Sequence, residues 1–269
     1  MGSKPTVALA VTVHEPGGRL ANMMRAQLPS LMERYSAVTA WCSQATHPTV
    51  SGLLRDHGVA IQIDGKEPSG IEGIGRVRRD AIGFGLLANA SHLQMCDFDR
   101  ALHWVAHYPG ELDGVIADIP RYDLLVLGRT QRAWDSHPAY QVETESLFNH
   151  VFALVTGLPW DVGAGSRGLS RRAAETLLEA SKEETVGTDA EWPLLLLNQQ
   201  DFSVGYRHCE GLEFETADRF GPEIEAAGGY EAWEAGMSAD PGRWVFRMRL
   251  SLMIAEAIVR YGRPRPGSR

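Results

Sequence analysis

The first hundred residues alternate short apolar runs with amphipathic stretches, and few architectures accept that order. Thr6 to Val13 is a β-rich run that ends at Glu15-Pro16-Gly17-Gly18, and Leu20 to Tyr35 carries helical spacing through Leu20, Met23, Met24, Leu28 and Leu31. Ala37 to Cys42 predicts a second strand, Val50 to His57 a helix closed by Gly58, and Val59 to Ile63 a third strand. Ile74 to Ala90 predicts a further helix and His92 to Cys96 a fourth strand. Parallel strands need crossover connections, and intervening helices supply them. The alternation therefore implies an α/β fold, a parallel sheet with helices on both faces.

Beyond this region the pattern is less regular. Asp123 to Gly128 predicts a strand, Glu143 to Thr156 a helix, and Trp160 to Arg167 a Gly-rich loop. Ser170 opens a helix to Ala180, a polar stretch from Ser181 to Thr188 follows, and Glu191 to Asn198 predicts another helix. Ser203 to Phe214 alternates like an edge strand. After Arg219 comes a loose Gly- and Glu-rich stretch, then a long helix from Trp244 to Tyr261 and a Pro- and Arg-rich tail, 262–269, expected to be disordered. The expected division is an α/β catalytic domain over 1–220 and a C-terminal helical extension over 221–269.

Composition removes several classes of function. The net charge of −8 over 269 residues disfavours non-specific binding of nucleic acid, which needs clustered Lys and Arg. No apolar run approaches the ~18 residues of a membrane span. The Met-Gly-Ser-Lys-Pro start leads into no signal-peptide pattern, and its Gly-Ser pair also fits a cloning remnant. Cys42, Cys96 and Cys209 are widely and irregularly spaced in apolar stretches, which predicts reduced core thiols in a cytoplasmic protein.

Ligands in open α/β sheets bind outside the C-terminal ends of the strands. Those ends carry His14-Glu15-Pro16, Cys42-Ser43-Gln44 and Cys96-Asp97-Phe98-Asp99. In an extended segment residues i and i+2 point to one side, so Asp97 and Asp99 are expected to face one small volume. Two such carboxylates repel each other, and a divalent cation with a taste for oxygen, Mg²⁺ or Mn²⁺, relieves the repulsion. Asp-x-Asp alone is a weak pattern, and the buried strand Leu93-Gln94-Met95-Cys96 leading into it is what gives it weight. Upstream, Arg76 and Arg79 share a helix face from which one could reach a diphosphate.

An opening strand with a Glu-Pro loop, an Arg-bearing helix and an apolar strand into Asp-x-Asp together resemble the GT-A glycosyltransferases, in particular the group related to dolichol-phosphate mannose synthases. Gly163-Ala164-Gly165-Ser166-Arg167-Gly168-Leu169-Ser170-Arg171 resembles that family's Gly-rich segment before a helix, and Gly187-Thr188-Asp189-Ala190-Glu191 its acidic motif at a helix start. The resemblance implies a mostly parallel mixed sheet and a nucleoside-diphosphate sugar donor, GDP- or UDP-linked. It further implies a hydroxyl acceptor, small molecule or glycan, with a homodimer allowed. Asp99 would bind the metal, with Asp97 on the ribose or on the metal through water. His14, Glu15 and Pro16 would line the nucleobase pocket, Arg79 would lie near the diphosphate, and Gly165 near the donor. Asp189 or Glu191 would serve as general base or hold the acceptor. His208 would complete the metal site, with His103 and His107 as alternatives, and Trp134, Trp160 or Trp192 would stack on a sugar. The acidic group Glu213, Glu215 and Asp218 reads as a solvated loop, and Pro241-Gly242-Arg243-Trp244 either as a remnant of the family's Gln-x-x-Arg-Trp motif or, through Trp244, as a helix anchor. Two other readings stand beside this one. Pro16-Gly17-Gly18-Arg19 partly matches the loop of nucleotidyltransferases, and a degenerate GT-A domain could bind a nucleotide without turnover.

Overall fold

The computed structural model describes residues 6–66 and 70–262; the predicted tail after Gly262 and the Met1–Pro5 segment lie outside them. In the first half β1 (Val7–Val13), α1 (Ala21–Arg34), β2 (Val38–Cys42), α2 (Pro48–Asp56), β3 (Ala60–Ile63), α3 (Ile74–Leu86) and β4 (His92–Asp97) follow the predicted alternation closely. Next come α4 (Phe98–His107), α5 (Pro109–Asp118), β5 (Leu124–Arg129), α6 (Gln131–Asp135) and α7 (Ala139–Thr156). The chain continues through β6 (Ser166–Ser170), α8 (Arg171–Ala180), α9 (Thr188–Leu197) and β7 (Val204–Cys209). It closes with α10 (Gly221–Ala226), α11 (Tyr230–Ser238) and α12 (Pro241–Tyr261).

Among the described residues the strands form one sheet in the order β3-β2-β1-β4-β6-β5-β7. The pairs β1–β2, β1–β4, β2–β3 and β5–β7 are parallel, and β6 runs antiparallel to both its neighbours. The expected mostly parallel mixed sheet with flanking helices is therefore what the chain forms. β6 was not foreseen: Ser-Arg-Gly-Leu-Ser offers one large apolar side chain, so the alternation that marks a strand is missing. α10 and α11 likewise occupy the stretch read as loose.

Period-two alternation sorts side chains to two cores. Val7, Leu9, Val11 and Val13 of β1 join Leu125 and Leu127 of β5 on one face, under Met24 and Leu28 of α1 and Phe98 and Leu102 of α4. Ala8, Leu93, Met95, Leu124, Val126 and Leu169 point to the other face, under α3, α8 and α9. A third cluster joins Phe148 and Phe152 of α7, Ala190 and Leu194 of α9, and Ile254 and Ile258 of α12. The C-terminal segment drawn as an extension thus completes a core with elements from before residue 220. The register Thr12↔Asp97, Val13↔Cys42 and Cys42↔Ile63 brings the C-terminal ends of β1 to β4 to one level, which puts four loops at a common rim. No helix of the described residues is long and apolar enough to cross a membrane.

Candidate functional site

A cavity of about 750 Å³ opens at that rim. Asp97 ends β4, and the next residue begins α4, so the backbone turns between the two carboxylates. The i, i+2 geometry expected of an extended segment is not what aligns them. Asp97 keeps extended dihedrals at the helix N-cap, Asp99 sits in the first turn, and both line the cavity. A carboxylate in a first helical turn also meets the positive end of the helix dipole. Asp97 Oδ1 accepts from the Thr12 hydroxyl at 2.6 Å, and Asp99 Oδ2 pairs with Arg219 at 3.1 Å.

The third carboxylate comes from far along the chain. The segment read as a solvated acidic loop contains a 3-10 turn, Glu215–Arg219, and Glu215 is buried on the cavity wall. Its Oε1 accepts from Arg100 at 3.0 Å, while its Oε2 is buried with no hydrogen-bond partner. Burial first, then the charges of Glu215 and Asp97, push the Asp99 carboxyl up to about 6 against the pull of Arg219. Burial raises the Glu215 carboxyl, but the Arg100 guanidinium, a backbone hydrogen bond and His103 together hold it below the usual range. Three acids with only two paired arginines, and one buried acceptor atom left over, make a donor set that fits a hard divalent cation.

Two arginines of α3 line the cavity, Arg76 at its Asp64 end and, beside the carboxylates, Arg78. Arg78 is buried and donates to Asp189 Oδ1 at 2.8 Å and to the Thr188 hydroxyl at 3.2 Å. Arg79, the sequence-predicted diphosphate residue, turns to the outer side of the helix, where Ser181, Glu183 and Glu184 hold it. Gly165 lies against Arg78 in the left-handed region (φ +68°); a Cβ there would come within 3.3 Å of Arg78 Nη2 and 3.8 Å of Asp97 Oδ2. The glycine lets backbone approach the charge cluster where a side chain would not fit.

Other expected site residues fall into three groups. His14 and Glu15 line the cavity, with the Glu15 carboxylate committed to its own loop, accepting from the Gly17 and Leu20 amides at 3.1 and 3.2 Å. Pro16 lines an adjoining cavity of about 650 Å³ that shares Phe214, Arg219 and Arg247 with the first. Asp189 lines the main cavity, but its Oδ1 is shared between Arg78 and the fully buried Arg167, at 2.8 and 2.7 Å. Glu191 points the other way: it is fully buried and accepts from the Ser181 hydroxyl and the amides of Lys182 and Glu183, closing the loop before α9. Thr188 to Glu191 are helical, so Glu191 sits on a different face from Asp189. His208 is exposed on β7, and β6 and β5 separate that strand from β4. Three strand spacings put it ~14 Å away along the sheet, too far to complete a site at Asp99.

The predicted sugar-stacking tryptophans are also spent elsewhere. Trp192 is buried in the core, Trp160 stacks on Tyr206 at 5.3 Å, and Trp134 lies under Arg129 at 4.3 Å. Trp41 and Trp233 line the two cavities instead. Trp244 anchors α12, donating to the Ser238 carbonyl at 2.8 Å. At the far end of the rim, Asp64 follows β3 and pairs with Arg76 at 2.8 Å; Arg76 outweighs burial and lowers the Asp64 carboxyl. A carboxylate directly after an apolar strand was a usable signal for Asp64. Glu215 stands in the acidic group read as a solvated loop and Arg78 in the Arg-bearing helix, but nothing local marks either as the residue that faces the carboxylates.

No protein-family profile matches the chain, and no curated protein matches it. Solved structures do. Glucosyl-3-phosphoglycerate synthase from Mycobacterium tuberculosis in complex with Mn²⁺, UDP and phosphoglyceric acid is 10% identical, with 76% of this chain and 68% of that one covered, at a TM-score of 0.47. The same synthase with Mn²⁺, UDP-glucose and phosphoglyceric acid is 11% identical, covering 76% of this chain and 70% of that one, also at 0.47. A mycobacterial protein is 11% identical over 77% of this chain and 67% of its own, at 0.45.

Proposed function

We propose that the chain is a metal-dependent glycosyltransferase of GT-A type, moving a sugar from a nucleoside-diphosphate donor to a hydroxyl acceptor. The observation that carries this is the convergence of Asp97, Asp99 and Glu215 with Arg78, Arg100 and Arg219 at one strand-end cavity. Asp99 and Glu215 would hold Mg²⁺ or Mn²⁺, with Asp97 on the cation through water or on the ribose. The cation would offset the charge that builds on the departing diphosphate. Arg78, fixed by Asp189, and Arg219, exchanging Asp99 for phosphate oxygens, would add hydrogen bonds to the same charge.

The nucleoside would run along the rim from β4 toward β3. Asp64 and Trp41 lie at that far end, where a carboxylate fits the N–H edge of uracil or guanine and an indole can stack on the base. The acceptor would enter through the adjoining cavity, over Trp233 and Arg243. The order of sequence motifs supports the dolichol-phosphate mannose synthase-like group. Three buried free cysteines support a cytoplasmic setting. The nucleotidyltransferase reading loses its loop, because Arg19 pairs with Glu223 at 2.6 Å and stacks on Phe220 at 4.7 Å.

A thermal-shift series with UDP and GDP, with and without Mn²⁺, tests the proposal. Ligand at 100 times its Kd adds about 2.7 kcal/mol of apparent stability. Stabilisation is expected from nucleotide and metal together, and its loss in Asp99→Ala and Glu215→Gln. Equal stabilisation without metal, or in either variant, would sink the metal site. Metal-dependent hydrolysis of the nucleotide sugar would separate an enzyme from a binding domain without turnover.

A further inference from the structure

We propose a second cation site, apart from the carboxylates of the main cavity, formed by His103, His107 and Asp218 and suited to a transition ion of the Zn²⁺ class. His103 and His107 stand at i and i+4 on α4, so their rings project from one face of the helix, with centroids 4.5 Å apart. The turn Glu215–Arg219 brings Asp218 over them. One ligand atom from each of the three residues lies within 4.8 Å of the others. Two imidazoles and a carboxylate make a mixed nitrogen and oxygen set with one position open. Zinc accepts such a set, whereas Mg²⁺ and Ca²⁺ favour oxygen alone.

The surroundings of His103 point to a cation as well. Its Nδ1 is 2.7 Å from Asp218 Oδ2 and its Nε2 is 3.1 Å from Glu213 Oε1. A neutral imidazole carries one N–H and can donate to only one of these carboxylates. An ion shared by His103 Nδ1, His107 and Asp218 leaves the Nε2 proton for Glu213, the outer carboxylate that orients metal-bound histidines. Glu213 is itself held by Arg132 at 2.6 Å. The three residues face a cavity of about 690 Å³ that Asp135, Glu143 and Glu234 also line, with no Lys or Arg among its lining residues. That wall draws cations.

The site does not depend on the sugar-transfer reading, but it would act on the same segment. α4 and the turn are joined by three rungs: Asp99–Arg219 at 3.1 Å, Arg100–Glu215 at 3.0 Å and His103–Asp218 at 2.7 Å. An ion on the third rung pins the turn that delivers Glu215 and Arg219 to the main cavity.

The test is a calorimetric titration of the chelator-treated full chain with Zn²⁺, repeated with Co²⁺ to read its visible d–d absorption. One equivalent is expected to bind with micromolar or tighter affinity, to persist in Asp99→Ala, and to weaken about ten-fold or more in His107→Ala and in Asp218→Asn. Both altered side chains are exposed, so the fold should survive their loss. Affinity unchanged in both variants overturns the proposal. So does binding lost in Asp99→Ala but kept in His107→Ala, or no binding at all, which would leave a second proton on His103 as what satisfies the pair. Failure of the main-cavity reading would look different: nucleotide and Mn²⁺ would not stabilise the chain while the Zn²⁺ result stood.

Discussion

Asp189 and Asp161 each hold buried arginines, and at this scale charge burial decides what a substitution reads out. Asp189 sits between Arg78 and Arg167, both buried, and Arg167 already has two guanidinium nitrogens without partners. Asp189→Asn removes the charge that makes both tolerable and should cost about 3–5 kcal/mol of stability in urea unfolding. A variant that loses activity at full stability would instead favour the general-base role expected from sequence. Asp161 accepts from Arg129 Nε at 2.7 Å and Nη2 at 2.8 Å. Burial alone would push its carboxyl up, but the Arg129 contact overrides burial and holds it at about 2. Above pH ~5 the carboxyl is ionised in folded and unfolded chains alike, and its contribution is complete. As pH falls from ~5 to ~2 the unfolded chain takes up the proton first, so about 2 kcal/mol is lost across that window. Stability measured against pH should show this slope, and Asp161→Asn should flatten it.

Whole elements carry consequences that single residues do not. The strand-to-helix junction at Asp97–Phe98 sets the separation of the carboxylate pair, and Phe98, the first residue of α4, is buried in the core there. β6 sets Arg167 beside β4, with Gly165 just ahead of the strand near Asp97, because it runs back between β4 and β5, a placement its own composition does not announce. α12 is the element most open to test. Ile258 is fully buried against α7 and α9, so Ile258→Ala should cost about 2–5 kcal/mol, read as a lower urea midpoint with unchanged slope. A cost under about 1 kcal/mol would mean that α12 docks as an appendage, in line with a domain boundary at residue 220.

Among the described residues an apolar stripe lies exposed along α12. Val245, Met248, Leu252 and Val259 of α12 are exposed, with Leu147 and Leu154 of α7 also facing out. Arg249 and Glu256 lie about a turn to either side of Leu252. Two copies of α12 crossing antiparallel at Leu252 would set each arginine against the other copy's glutamate, a self-complementary arrangement of the kind a two-fold interface needs. Light scattering should give twice the 29.6 kDa chain mass, and Leu252→Glu should halve it. A monomeric parent protein would remove the homodimer from the reading.

How much of this was legible in the chain follows from the range of the forces involved. The sequence by itself determined β1 to β4, their intervening helices and the carboxylates at the end of β4, because period and turn chemistry are local and each run declares its own face. The Ser170 helix cap is equally local, its hydroxyl accepting from the Ala173 amide within one turn. Tertiary structure alone decided which charges meet. Arg100 reaches Glu215 across 115 positions, Arg78 reaches Asp189 across 111, and neither pairing leaves a mark on neighbouring residues. Tertiary placement also turns Arg79 and Glu191 away from the cavity and sets His208 three strands from Asp99. Each had the right chemistry, and the helix face or sheet position that carried it pointed elsewhere.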